Sequence, residues 1–243
     1  MYQSQRKIWV KKIKKIFDVI LAHNKLKAEA FLKALIGKKP LFVCIISTTE
    51  TAKIPGISAA GKYPELTDYT PPADVELLLL GRCKCIPGVP VTPEGIPTPA
   101  LITMAALSLA DIPALMVSGG LKIKPHVPFL DVGGKPGGDI RTGKAVDGVE
   151  EVLLRAKNAG ENLSRTADYF VVGESVPGGT TTALGVLLAM GIDAKGKVSS
   201  SMPDNPHELK IKMVEEGLKA SKVEFGALAN DPLKAISCVG DPM

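Results

Sequence analysis

Tyr169-Phe170-Val171-Val172-Gly173-Glu174-Ser175-Val176-Pro177-Gly178-Gly179-Thr180-Thr181-Thr182 runs straight into Ala183-Leu184-Gly185-Val186-Leu187-Leu188-Ala189-Met190. A short apolar run, a glycine-rich turn and a segment rich in Ala and Leu read, in that order, as strand, turn and helix. A helix N-terminus leaves backbone N–H groups unpaired and carries partial positive charge, so an anion is its natural guest. Glycines let that anion approach the backbone closely, and threonine hydroxyls add donors. The spacing is that of a P-loop, except that Gly179 stands where the lysine would be. That lysine reaches the outer phosphates of a nucleoside triphosphate, so its loss favours a single phosphate or carboxylate. The competing reading is a tight turn that binds nothing, but two adjacent glycines followed by three threonines exceed what such a turn requires.

Outward from this stretch the same alternation recurs. Leu41-Phe42-Val43-Cys44-Ile45-Ile46 is continuously apolar, as expected of a central strand covered on both faces, and it empties into the polar cluster Ser47-Thr48-Thr49-Glu50-Thr51. Ala114–Ser118 and Phe129–Val132 read as further strands, each ending in glycines. Helices are expected over Thr98–Leu109, over Val149–Ala167 with Val152, Leu153, Ala156, Ala159 and Leu163 inward, and over His207–Lys219. Val75–Leu80 fits helix or strand equally. Ser237-Cys238-Val239 reads as a buried strand, and Ile54–Pro72 as a long irregular segment with too much apolar content to be disordered.

Together these predict an α/β fold: a mostly parallel, Rossmann-like sheet with helices on both faces. A small N-terminal helical appendage precedes it. Gln5–Ile36 carries two apolar stripes (Val10, Ile13, Phe17, Ile20, Leu21; then Leu26, Ala30, Phe31, Leu35) with lysines opposite and a break near His23-Asn24. Residues 1–40 are therefore taken as an appendage, a small domain or dimer contact, and 41–243 as the α/β domain. The apolar stripes make a homodimer the expected assembly, ahead of a membrane-surface role.

Composition narrows the function. A chain of 243 residues with 45% hydrophobic and 23% charged residues is ordinary for a globular domain. Residues 6–39, where only Asp18 and Glu29 oppose the lysines and arginines, more than account for the net charge of +5. The remainder is slightly acidic and aromatics make up 5%, so no nucleic-acid partner is expected. Cys83 and Cys85 form one C-x-C with no second pair, so no metal is expected. Four cysteines without a secretory signal, and no long apolar run, point to the cytoplasm and away from a membrane. No G-x-G-x-x-G follows the first strand, which disfavours a dinucleotide oxidoreductase.

The ordered set of segments resembles the nicotinate-nucleotide–dimethylbenzimidazole phosphoribosyltransferases of cobalamin biosynthesis, in their shorter archaeal-type branch. Gly56-Ile57-Ser58-Ala59 with Tyr63-Pro64-Glu65-Leu66-Thr67 is similar to the family's G-V-S-A-Y-P-x-x-V-T block, which lines its base pocket. Leu130-Asp131-Val132-Gly133 resembles V-D-V-G, and Gly143-Lys144-Ala145-Val146 resembles G-x-A-M. Gly173-Glu174-Ser175-Val176-Pro177-Gly178-Gly179-Thr180-Thr181 is similar to G-E-M-G-I-G-N-T-T, with Gly179 in place of asparagine and Ser175-Val176-Pro177 in place of Met-Gly-Ile. Leu209-Lys210-Ile211-Lys212 lies where the family has L-x-x-K. The likeness runs from about residue 41 to the end.

The resemblance implies transfer of ribose 5-phosphate from nicotinate mononucleotide to a benzimidazole-type base, giving α-ribazole phosphate and nicotinate, with no cofactor. The implied substrate contacts are Ser58, Gly173, Gly178, Gly179, Thr180, Thr181, the Ser199, Ser200, Ser201 turn and Lys212, the last as phosphate anchor. Glu174 is the candidate catalytic carboxylate, as proton acceptor or as ribose ligand; capping its own helix is the other reading. Glu50 is a weaker acid–base candidate, and Asp139 with Arg141 reads as an ion pair. The family's general base lies in a glycine-rich segment near the C-terminus, whereas this sequence stops at Gly240-Asp241-Pro242-Met243, so a truncated chain lacking that base is expected. The alternative is a non-catalytic nucleotide-binding or regulatory homologue that keeps the phosphate loop.

Overall fold

The computed structural model describes residues 22–243. The first apolar stripe expected in the N-terminal region lies outside the described residues. The second falls on helix α1 (Lys25–Leu35), which Asn24 caps by accepting a hydrogen bond from the Lys27 amide. Leu26 and Phe31 on that stripe are exposed. A boundary after Lys39 separates α1 from the compact unit Pro40–Met243.

Four parallel strands form the sheet: β1 (Pro40–Ser47), β2 (Ala114–Gly120), β3 (Leu130–Asp131) and β4 (Tyr169–Ser175), in the order β3-β2-β1-β4. The continuous apolar run takes the interior position, with Phe42 opposite Ala114 on one side and Val171 on the other. Alternate side chains of β1, Phe42, Cys44 and Ile46, pack with Met116 against Val75, Leu78 and Leu107. The last three come from helices α2 (Thr70–Leu80) and α3 (Ala100–Ala110).

Helix α2 resolves the ambiguous Val75–Leu80 run. Pro71 and Pro72 sit in its first turn, where no amide donor is needed, and Gly81 ends it at φ 69°. Helix α4 (Val149–Leu163) is shorter than expected, and Leu153, assigned to its inner side, is half exposed. A second core lies among helices α5 (Gly179–Ala189), α6 (His207–Ala220) and α7 (Pro232–Val239), around Leu184, Leu188, Met213, Val214 and Val239. Here the strand expected at Ser237–Val239 is corrected: Cys238 is buried in α7, which Asp231 caps by accepting from the Lys234 amide and Pro232 opens. Three residues are too few to show a period, so the segment could not be told from a helix end.

The topology fixes where a ligand can sit. From β1 the chain proceeds outward to β2 and β3, then returns to place β4 on the other side of β1. Side by side, β1 and β4 form the switch point of the sheet, and a crevice opens beyond their carboxyl ends. Among the described residues no helix is long and apolar enough to cross a membrane.

Candidate active site

At that crevice β4 ends in Glu174 and Ser175, Val176–Gly178 makes the turn, and α5 starts at Gly179. Gly178 adopts φ 80°, and a Cβ there would stand 3.1 Å from the backbone nitrogen of Ala52. That close approach joins the turn after β4 to the 3-10 turn Glu50–Lys53 that follows β1. Gly173, one of the implied substrate contacts, has a different reason for being glycine: a Cβ on it would meet the Phe42 ring at 2.7 Å. Its place is inside the sheet, and it serves packing.

A fully buried lysine lies beside the turn. Lys210, on α6, is fully buried; its ammonium donates to Thr180 Oγ1 at 3.0 Å and to the Ser199 carbonyl. Burial lowers its pKa, and no carboxylate among the described residues offsets that effect. Lys212, the expected anchor, is exposed on the opposite side of the helix. Helical spacing accounts for the difference in burial: Lys210 shares a face with the buried Met213, Val214, Gly217 and Leu218, at intervals of three, four, seven and eight.

A cavity of about 230 Å³ opens in front of the turn. Of the residues expected in the site it brings together Ser58, Glu174, Gly178, Gly179, Thr180 and Ser201, lined also by the apolar Ile57, Val91, Ile96 and Val176. Ser201 Oγ accepts from the Ala59 amide at 3.0 Å, which ties the serine turn to the Gly56–Ala59 block across 142 residues of sequence. Ser199 contributes its carbonyl to Lys210, and Ser200 Oγ accepts from the Met202 amide, so these two act through the backbone around them. Thr181 is fully buried, and among the described residues its hydroxyl lacks a hydrogen-bond partner. Behind the helix start, Thr182 Oγ1 donates to Asp241 Oδ2 at 2.5 Å.

Two carboxylates face the cavity. Glu174 is exposed as a residue, but partial desolvation of its carboxyl, with Asp241 and Asp74 nearby, raises its pKa against the pull of the Val176 amide. Asp74, on α2, was not singled out in the sequence. It is buried, accepting from Thr98 Oγ1 and Ser175 Oγ, each at 2.8 Å. Burial raises its pKa to about 6, against the lowering effect of those two hydroxyls. The available signal was a pair of acids, Asp74 and Glu76, in the otherwise apolar Pro72–Leu80 segment.

The remaining candidates are accounted for elsewhere. Glu50 pairs with Lys53 at 3.4 Å and with Lys122, and it does not line this cavity. Asp139 and Arg141 form the expected ion pair at 2.5 Å. Glu76, fully buried, accepts from the amides of Lys84, Cys85 and His126 and contacts His126 Nδ1 at 2.8 Å, holding the Cys83–Cys85 segment onto α2.

No family model matches the chain. It is 48% identical to a UPF0284 protein of Methanothermobacter thermautotrophicus over 216 residues, covering 88% of the chain and 60% of the relative. Over 207 residues it is 52% identical to a UPF0284 protein of Methanosarcina mazei, covering 85% and 59%. Archaeal UPF0284 proteins are its homologues. The chain spans about three fifths of the length of these curated relatives, and the UPF0284 name itself states no activity. Among solved structures, CobT from Thermus thermophilus matches with a TM-score of 0.60 at 18% identity, covering 85% of this chain and 55% of that one. A nicotinate-nucleotide-dimethylbenzimidazole phosphoribosyltransferase structure from the same organism matches with a TM-score of 0.56, also at 18% identity, over 85% and 54%. The α/β fold of this chain is thus that of the CobT structure, the one the resemblance implied.

Proposed function

We propose that this chain binds a nucleoside monophosphate and transfers its ribose 5-phosphate, from nicotinate mononucleotide, to a benzimidazole-type base. The observation that carries this reading is the Lys210–Thr180 contact. A fully buried ammonium without a carboxylate is costly to maintain, and an anion at the start of α5 compensates it. The phosphate therefore occupies the end of the cavity near Thr180, whose hydroxyl the buried Lys210 ammonium meets from behind. Ser58, Ile57, Val91 and Ile96 hold the aromatic base, and Glu174 orients the ribose and stabilises positive charge developing at C1′.

The chemistry demands little more than this. The nicotinate nitrogen is cationic in the mononucleotide, so the ring departs from C1′ as a neutral pyridine, taking the bonding electron pair. Positioning and charge stabilisation supply the rate. The test is direct: the full chain, nicotinate mononucleotide and benzimidazole are incubated together, and free nicotinate is measured by chromatography. Release that depends on both substrates is the expected result; intact mononucleotide after long incubation with several bases would refute catalysis. Mononucleotide binding without release would identify instead the non-catalytic homologue that keeps the phosphate loop.

A further inference from the structure

We propose that the hairpin between α2 and α3 selects the incoming base, with Val91 and Ile96 forming a wall that gives it apolar contact and no hydrogen bond. This rests on the transfer reaction proposed above and adds which bases the site prefers. They are flat bicyclic rings whose six-membered half is all carbon, ahead of purines of the same outline.

The connection over residues 81–99 is longer than joining two packed helices requires. Two buried acids on α2 fasten its ends. Glu76 accepts from the Lys84 and Cys85 amides near the start, and Asp74 accepts from Thr98 Oγ1 near the finish. Between these fastenings the chain folds back on itself. Val91 and Pro97 form an antiparallel bridge. The Thr92 amide donates to the Ile96 carbonyl, and the Thr98 amide to the Pro90 carbonyl, each at 2.9 Å. Residues 93–95 at the tip are exposed, whereas Pro90, Val91, Ile96 and Pro97 line the cavity.

This wall has little for a polar ligand. Pro90, Pro93, Pro97 and Pro99 carry no N–H. The amides of Thr92, Gly95, Ile96 and Thr98 are all taken up inside the hairpin, by three carbonyls and by Thr92 Oγ1. Its threonine hydroxyls are engaged too: Thr92 accepts from the Ile96 amide at 3.2 Å, and Thr98 joins Asp74 to the Ala100 amide. What the wall does present is apolar surface. Ile96 is 58% exposed while lining the cavity, and a flat ring laid against it removes that surface from water. A single exposed isoleucine is ordinary on a protein surface. This one stands on a doubly fastened segment, beside Val91 and two prolines that line the same cavity.

The hydroxyls of the cavity lie elsewhere, on Ser58, Thr180 and Ser201 among others. Benzimidazole needs polar partners at its two imidazole nitrogens alone. That half of the ring therefore turns toward Ser58, and the carbocyclic half toward Val91 and Ile96. Purine has the same outline but carries two further nitrogens in its six-membered ring. Against this wall their lone pairs lose water and gain no donor. An apolar pocket discriminates moderately by such means, by about 10–100-fold.

The test uses the full chain, nicotinate mononucleotide, benzimidazole and purine. The kcat/KM for benzimidazole, followed by nicotinate release, should exceed that for purine by about 10–100-fold. Ile96→Asn places an amide on the wall and should reduce that ratio by about tenfold. Ile96→Ala should raise the KM for benzimidazole several-fold and leave mononucleotide affinity within about twofold. Ile96 is exposed, so neither variant threatens the fold, and a thermal melt verifies this. A connector that only joins two helices would leave the base preference of Ile96→Asn at the wild-type value. That result, or a wild-type ratio near one, overturns the proposal. Failure of the transfer reading is seen separately, as wild-type protein that releases no nicotinate with either base. Calorimetric titration with each base then measures the same preference without turnover. Equal affinities for the two bases in wild type would overturn the wall as well, whereas a benzimidazole preference lost in Ile96→Asn would uphold it.

Discussion

Lys210 Nζ and Thr180 Oγ1 meet at 3.0 Å, joining the buried face of α6 to the first turn of α5. Neither residue makes an anion site alone. A helix start offers partial charge, and a lysine offers a full one. Thr180 lines the cavity beside Ile57–Ala59, and Lys210, buried behind it, meets its hydroxyl from the protein side.

Lys210→Met is therefore expected to weaken mononucleotide binding by about 10–100-fold, the worth of about 1.5–3 kcal/mol for a charge-assisted hydrogen bond. The same substitution should raise the thermal midpoint of the free protein, since it removes an uncompensated buried charge. Lys212→Met should change neither. Titration calorimetry and a thermal melt on the three proteins check this, and equal affinities would remove Lys210 from the site.

The two adjacent glycines should respond differently. Gly178→Ala forces a side chain into the left-handed region and toward the Ala52 backbone, at a cost of about 1–3 kcal/mol. Gly179→Ala places its Cβ in ordinary contact with Val176, at 3.5 Å, in a helical position. It should raise stability by about 0.4–1 kcal/mol. Chemical denaturation of both variants measures the contrast.

Ser201→Ala leaves the Ala59 amide without its acceptor and frees the Gly56–Ala59 block from the serine turn. The KM for the base should rise several-fold, while mononucleotide affinity, set at the other end of the cavity, stays within about twofold. Steady-state kinetics with each substrate varied in turn decides it; parallel losses for both would contradict the division of the cavity.

Glu76 gives the fold an acid-side dependence. Burial acts to raise its pKa, but three amide donors and His126 outweigh it and bring the carboxyl down to about 2. A folded-state pKa below the unfolded value stabilises above about 4.5 and is lost as pH falls toward 2. The loss amounts to about 3 kcal/mol from a shift of this size. Glu76→Gln should lower stability at pH 7 and flatten the dependence between pH 5 and 2, followed by denaturant melts across that range.

Much of the fold was legible in residue order. The Leu41–Ile46 run could only be an interior strand, because any edge or half-exposed position would have left apolar side chains in water. The Tyr169–Met190 stretch announced strand, turn and helix through its glycines, and β1 and β4 place that turn at the switch point. Cys238 shows the limit. Three residues are too few to show a period, and Cys238 and Val239 lie in a helix whose core also holds Leu184 and Val214.

Local patterning therefore determined which segments form strands and helices, and that a glycine–threonine turn opens one of them. Tertiary structure alone decided which polar groups face one another. Lys210 rather than Lys212 reaches Thr180 because a helix turns 100° per residue, and Asp74 faces the cavity because Ser175 and Thr98, distant in the chain, converge on it. Such convergence depends on how elements pack, and spacing along one segment carries no record of it.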